Sequence, residues 1–119
     1  MKNIIKVFET IKPFNKSIQI EGDKSLSIRW ALLASQATGK SKSFNLLRSE
    51  DVLSTLNCLK TLGIKIKLSR KYCEIFGKGL NKFNYDKKKI DLNAGNSGTL
   101  GRLIMGLLVH SKSTVKIKG

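Results

Sequence analysis

An α/β fold is predicted for this chain by three observations. Segments in which apolar residues recur at every second position, as on a strand, alternate with segments in which they recur every three or four, as on a helix. A strand running through a turn with glycine into a helix occurs twice, over residues 17–38 and again over residues 89–110. Punctuation falls between these segments, with Gly39, Gly63 and the single proline, Pro13, at candidate boundaries.

Taken in order, Ile4, Ile5, Val7 and Phe8 read as a first strand, and Pro13 marks a crossing in residues 10–16. Residues 17–21 alternate apolar and polar as a half-buried strand. A helix over 25–38 follows, with Leu26, Trp30, Leu33 and Ala37 as its apolar stripe and Gly39 closing it. Strand 42–47 leads to helix 50–62, capped by Ser49, carrying Glu50 and Asp51 in its first turn and burying Val52, Leu56 and Leu59. Strands 64–69 and 73–77 complete one β-α-β-α-β-β unit. After a polar loop at 78–88, strand 89–93, helix 98–110 with Leu100, Leu103, Ile104 and Leu107 inward, and strand 113–118 begin the pattern again.

The 119 residues allow one modest core without disulfides. No stretch is long and apolar enough to span a bilayer, and residues 1–8 show no leader pattern, so a cytoplasmic protein is expected. Cys58 and Cys73 fit no metal or redox spacing and read as reduced, structural thiols; no metal and no cofactor is expected. The net charge of +15 favours anionic partners. The lysines are scattered and concentrate only at Lys87, Lys88 and Lys89, which reads as a solvated surface. Aromatic residues are few and do not interleave with basic ones along the sequence, so nucleic acid is not an expected partner.

The chemistry lies in the two turns. In Gly22-Asp23-Lys24-Ser25-Leu26-Ser27-Ile28-Arg29, Ser25 and Arg29 share a helix face, with Lys24 at the helix mouth. The first-turn N–H groups, a point charge and a planar fork there converge on a site for phosphate or carboxylate. In Leu92-Asn93-Ala94-Gly95-Asn96-Ser97-Gly98-Thr99-Leu100, the glycines let a ligand approach the main chain, Asn96, Ser97 and Thr99 offer neutral donors, and Arg102 lies one turn in. Either pattern alone also describes an ordinary capped helix.

Together the two stretches resemble the N-terminal signatures of the 3-phosphoshikimate 1-carboxyvinyltransferase (5-enolpyruvylshikimate-3-phosphate synthase) family, and residues 44–63 resemble the segment between them. The resemblance implies part of one lobe of an inverted α/β barrel, one full β-α-β-α-β-β unit plus half of a second. Residues 1–14 would be a first strand and crossover belonging to the far lobe, and residues 15–119 a partial N-terminal lobe, making the chain an N-terminal fragment. The implied reaction transfers the enolpyruvyl group of phosphoenolpyruvate to the 5-hydroxyl of 3-phosphoshikimate, without a cofactor, in a full-length monomer. By resemblance, Lys24, Ser25 and Arg29 would hold 3-phosphoshikimate, Lys24 would be catalytic between both substrates, and Asn96, Gly98 and Thr99 would lie around phosphoenolpyruvate.

Arg102 would support its loop, and Asp51 would either serve the helix dipole or hold Lys24. Glu21, Ile28 and Trp30 depart from the family pattern without touching those positions. Retention of glycine at 98 implies sensitivity to glyphosate. The other readings are the sister UDP-N-acetylglucosamine enzyme, which lacks the set written here as Lys24, Ser25 and Arg29, an inactive fragment, and a basic nucleic-acid-binding domain.

Overall fold

The computed structural model describes residues 4–10 and 12–119. Among these the elements run α1 (Lys24–Gln36), β1 (Thr38–Phe44), α2 (Glu50–Thr61), β2 (Lys65–Leu68), β3 (Tyr72–Lys78), β4 (Lys89–Asn93), α3 (Gly98–Leu107) and β5 (Thr114–Lys118). Strand β3 lies between β1 and β2, antiparallel to both, while β4 and β5 form a parallel pair joined by α3. The result is a mixed helix and strand architecture, as the alternating periods predict. One apolar cluster runs through both sheets, including Leu56 and Leu59 of α2, Ile75 of β3, Leu92 of β4 and Leu100 and Ile104 of α3.

Helix α2 follows its sequence pattern closely. Val52, Leu56 and Leu59 are buried, and the helix ends in a left-handed Gly63 (φ 84°). There the Gly63 N–H donates to the Lys60 carbonyl and the Ile64 N–H to that of Leu59, closing the last turn. Ser49 occupies the N-cap position but its hydroxyl caps nothing; the Oγ is buried without a hydrogen-bond partner.

Helix α1 buries a different face from the one its large residues predict. Ser27, Ile28, Ala31, Leu32, Ala34 and Ser35 point inward, whereas Leu26 and Leu33 are 68% and 69% exposed. The reason is close approach. A Cβ at Gly77 of β3 would overlap the carbonyl oxygens of Ala34 and Ala37, so the C-terminal end of the helix lies directly against the sheet there. Gly39 lies inside β1, opposite Gly77, and does not close the helix, which is capped at Ala37.

Three further expectations are corrected. Residues 4–8 and 17–21 form no strand and are exposed, since their N–H and C=O groups find no neighbouring edge among the described strands. Strand β1 begins four residues early and stops at Asn45, whose left-handed backbone (φ 58°) breaks the ladder. Helix α3 ends at Leu107, with Leu103 part-exposed. Cys58 and Cys73 are buried free thiols, as expected. Residues 1–3 and Ile11, on which part of the proposed first strand and crossover falls, lie outside the described residues.

Candidate functional site

The mouth of α1 is built by its neighbours as much as by its own sequence. Asp23 is the N-cap, its carboxylate accepting the Leu26 N–H at 2.7 Å, a role the sequence reading passed over. Gly22 is pressed against the chain that follows β1, where an added Cβ would overlap the Asn45 carbonyl oxygen. Asn45 donates from Nδ2 to the Ile20 carbonyl (2.9 Å), and the buried Ser27 Oγ accepts the Leu47 N–H (3.1 Å). These contacts bring the start of α2 beside the start of α1. Lys24 Nζ consequently lies 3.0 Å from Asp51 Oδ2, while Asp51 also stands in the first turn of α2, a position that suits the helix dipole. Arg29 folds back over the first turn and donates to the Ser25 carbonyl at 3.2 Å, placing guanidinium and serine on one side.

The second turn is made by Asn93, Gly95 and Ser97. Asn93 Oδ1 accepts the Gly95 N–H at 2.9 Å, and Gly95 takes a left-handed backbone (φ 59°) that closes the turn. Ser97 is the N-cap of α3, accepting the Leu100 N–H at 3.1 Å. These bonds hold the loop. Arg102 is exposed and lines a cavity of about 400 Å³ with Asn96, Gly98 and Lys118. Thr99 lies just behind, half-buried and off that wall. Gly98 itself faces open space, with nothing within 4 Å of the position a Cβ would take.

Both turns are anchored on α2, so the two groups of predicted residues belong to one region. Asp51 meets Lys24, and three residues on, Ser54 Oγ lies 3.0 Å from the place of a Cβ on Gly95. Four residues further, the Cys58 thiol donates to the Asn93 carbonyl at 3.2 Å. Positions 51, 54 and 58 fall on one helix face, and 51 and 54 are separated by about one turn, roughly 5 Å of rise. Helix α2 thus sets the spacing of the two anion-seeking turns. Sequence reasoning missed Ser27, Ser54 and Cys58 in this role because each reads as a bland helix residue; no local signal marks them.

The charge balance of the region is positive. Lys24 is half exposed and keeps an accessible ammonium despite its ion pair, while Arg29, Arg102 and Lys118 are exposed. Asp23 and Asp51 are both engaged, one by a backbone N–H and one by Lys24. Burial raises the pKa of the Cys58 thiol, which keeps it a neutral donor toward Asn93. Among the described residues, no group of His, Cys, Asp and Glu could hold a metal ion, and no helix is long and apolar enough to cross a membrane.

Comparison with known proteins gives consistent results. The family model for EPSP synthase (3-phosphoshikimate 1-carboxyvinyltransferase) matches residues 8–119. A 3-phosphoshikimate 1-carboxyvinyltransferase of Streptococcus mutans is 42% identical over 103 residues, which cover 87% of this chain and 24% of that protein. The Oenococcus oeni protein of the same name is 43% identical over 109 residues, 91% of this chain and 24% of its own length. Among solved structures, EPSP synthase from Acinetobacter baumannii superposes with a TM-score of 0.74 at 30% identity, covering 84% of this chain and 23% of that one. The chain therefore spans about a quarter of the length of the curated relatives it matches.

Proposed function

Because the chain belongs to the EPSP synthase (3-phosphoshikimate 1-carboxyvinyltransferase) family, we propose that it supplies part of the active site for enolpyruvyl transfer from phosphoenolpyruvate to 3-phosphoshikimate. In this reading Lys24, Ser25 and Arg29 hold 3-phosphoshikimate at the mouth of α1. Lys24 lies between the two substrates, and phosphoenolpyruvate rests against Asn96, Gly98 and Thr99. Asp51 positions Lys24, and Arg102 adds a cation to the cavity wall.

The observation that carries this reading is the anchoring of both turns on one helix. It places the Lys24–Asp51 pair and the open Gly98 turn on a common support, as a reaction between two anions requires. A phosphate, a carboxylate and a second phosphate repel one another. Fixed cations and N–H groups offset that repulsion and stabilise the charge of the tetrahedral intermediate, at about 3–4 kcal/mol for each well-placed contact. The residues named here bind and orient. Asp23, Asp51 and Glu74 are already committed to a cap or to lysines, so the proton transfers fall to carboxyl groups outside this set. The activity is assigned to the longer polypeptide, acting in the cytoplasm as a monomer without a cofactor.

A chimera tests the assignment directly. Residues 1–119 replace the matching quarter of the Streptococcus mutans relative, and phosphate release is followed with both substrates. Release that needs both, and falls at least 100-fold in the chimera carrying Lys24→Ala, supports the reading. A folded chimera with no such release, or one indifferent to Lys24→Ala, overturns it.

A further inference from the structure

The outer face of the three-stranded sheet carries a feature that the sequence order conceals. The strand register puts Lys40, Phe76 and Lys65 side by side in one row across the sheet. The next row reads Lys42, Glu74 and Lys67, and beyond it Phe44 lies opposite Tyr72. Lys78 ends β3 beside Thr38, and its ammonium reaches toward Gly63 rather than joining these rows. The opposite face holds Cys73 and Ile75, which pack into the core with α1, so Lys40, Lys42, Lys65 and Lys67 lie on the side away from that helix, while at one end of the sheet Tyr72 also lines a cavity with Gly22 and Ser49. Aromatic and basic residues that do not interleave along the sequence are thus brought side by side in space.

The charges on this face are poorly neutralised. Glu74 is its one carboxylate, and it is only 8% exposed, lying 3.6 Å from both Lys40 Nζ and Lys42 Nζ. Four lysines, Lys40, Lys42, Lys65 and Lys67, therefore share the face with one acid. The ammonium groups lie over the rings, Lys42 at 3.9 Å from the Tyr72 centroid and 5.3 Å from that of Phe44, and Lys65 at 5.3 Å from that of Phe76. Phe44 is 68% exposed, which a core or a lone surface strand does not require. A sheet face with rings between cations suits a polymer of alternating planar groups and phosphates. A duplex would present only its phosphates and leave the rings idle.

We propose that this face binds single-stranded nucleic acid, its lysines neutralising phosphates and Phe44 and Tyr72 stacking on bases, in addition to the enzymatic role proposed for the two turns. A base reaching Tyr72 displaces the Lys42 ammonium from the ring toward the adjoining phosphate, so charge pairing and stacking form together.

The test uses the 119-residue chain and fluorescein-labelled 12-mers of deoxythymidine, read by anisotropy between 50 and 200 mM NaCl, with a 12-bp duplex and phosphatidylserine vesicles as competitors. The single strand should bind at least ten-fold more tightly than the duplex. Its log–log salt slope should be about −2 to −3.5, as expected when three to five phosphates are neutralised. Phe44→Ala should weaken binding roughly ten-fold with the slope unchanged, and Lys40→Gln with Lys67→Gln should flatten the slope by about 1.4. These side chains are exposed, and thermal melts establish that each variant is folded. Equal binding of duplex, preference for vesicles, or a loss no greater than that caused by Lys87→Gln with Lys88→Gln would overturn the proposal and reduce the face to a solvated surface.

Discussion

The two turns look alike in sequence and differ in what surrounds them. At the first, the protein fills the space: Gly22 is pressed against the Asn45 carbonyl, Ser27 is bonded to Leu47, and Lys24 is paired with Asp51. At the second, the turn is held from below by Asn93 and Ser97 and is open above, with no described residue within 4 Å of a Cβ placed on Gly98. The difference separates two reasons for a glycine. Gly22 is required by the fold, whereas no contact within the chain requires Gly98, which leaves the space over it for a ligand.

The largest effect is therefore expected at the first turn. Gly22→Ala places a methyl group into a backbone carbonyl that cannot swing aside, because Asn45 is fixed by its own bond to Ile20. Overpacking of this kind costs about 2–3 kcal/mol. The measurement is a urea melt of both proteins. A variant as stable as the wild type would show that the contact between residues 22 and 45 yields, and the contrast between the turns would disappear.

How far the sequence foretold this arrangement depends on whether the deciding contacts are local. Helices α2 and α3 and the strands β2 to β5 are legible because their buried residues are large, and because Ser97, Gly63 and Gly95 have backbone roles their side chains announce. Lys24, Ser25, Arg29 and Gly98 stand out for the same reason, as charged or glycine residues beside a helix start. The inward face of α1 was not legible. Its end at Ala34 and Ala37 lies against Gly77 some forty residues away, and Ser27 is buried by its bond to the Leu47 N–H twenty residues away. Residues 17–21 carry a strand's alternation but no partner, and alternation alone cannot supply one. The lysine and aromatic rows of the sheet are equally hidden, since they exist only once β1, β2 and β3 are in register.

A smaller effect should distinguish the turns at high pH. Burial raises the pKa of Cys58, so the folded state holds the thiol proton more tightly than the unfolded chain does. The resulting stability is present below the ordinary thiol pKa of about 8.5 and is lost as pH rises through the higher folded value. Cys73 and Tyr85 are raised by burial in the same direction, so the chain as a whole should weaken from pH 8 upward. Only Cys58 touches the second turn, through Asn93. Amide exchange, corrected for its intrinsic pH dependence, should accelerate at residues 93–97 before it does at residues 22–27. In Cys58→Ala that difference should shrink. Uniform acceleration in the wild type would mean that α2 does not hold the two turns separately.

The smallest stability change is expected at the position with the most to say about ligand binding. Gly98→Ala adds a methyl group to open space at the first residue of α3, where alanine suits a helix at least as well as glycine. Its urea midpoint should stay within about 0.5 kcal/mol of the wild type, as for a surface substitution away from packing. In the chimera, however, that methyl group occupies the volume assigned to phosphoenolpyruvate, and the KM for that substrate and the inhibition constant for glyphosate should both rise while the KM for 3-phosphoshikimate holds. A fall in stability at Gly98→Ala would mean that the protein does need the glycine, and an unchanged KM for phosphoenolpyruvate would move that substrate away from the second turn. Paired with Gly22→Ala, the variant separates a glycine kept for folding from one kept for a ligand, and each result can fail independently of the other.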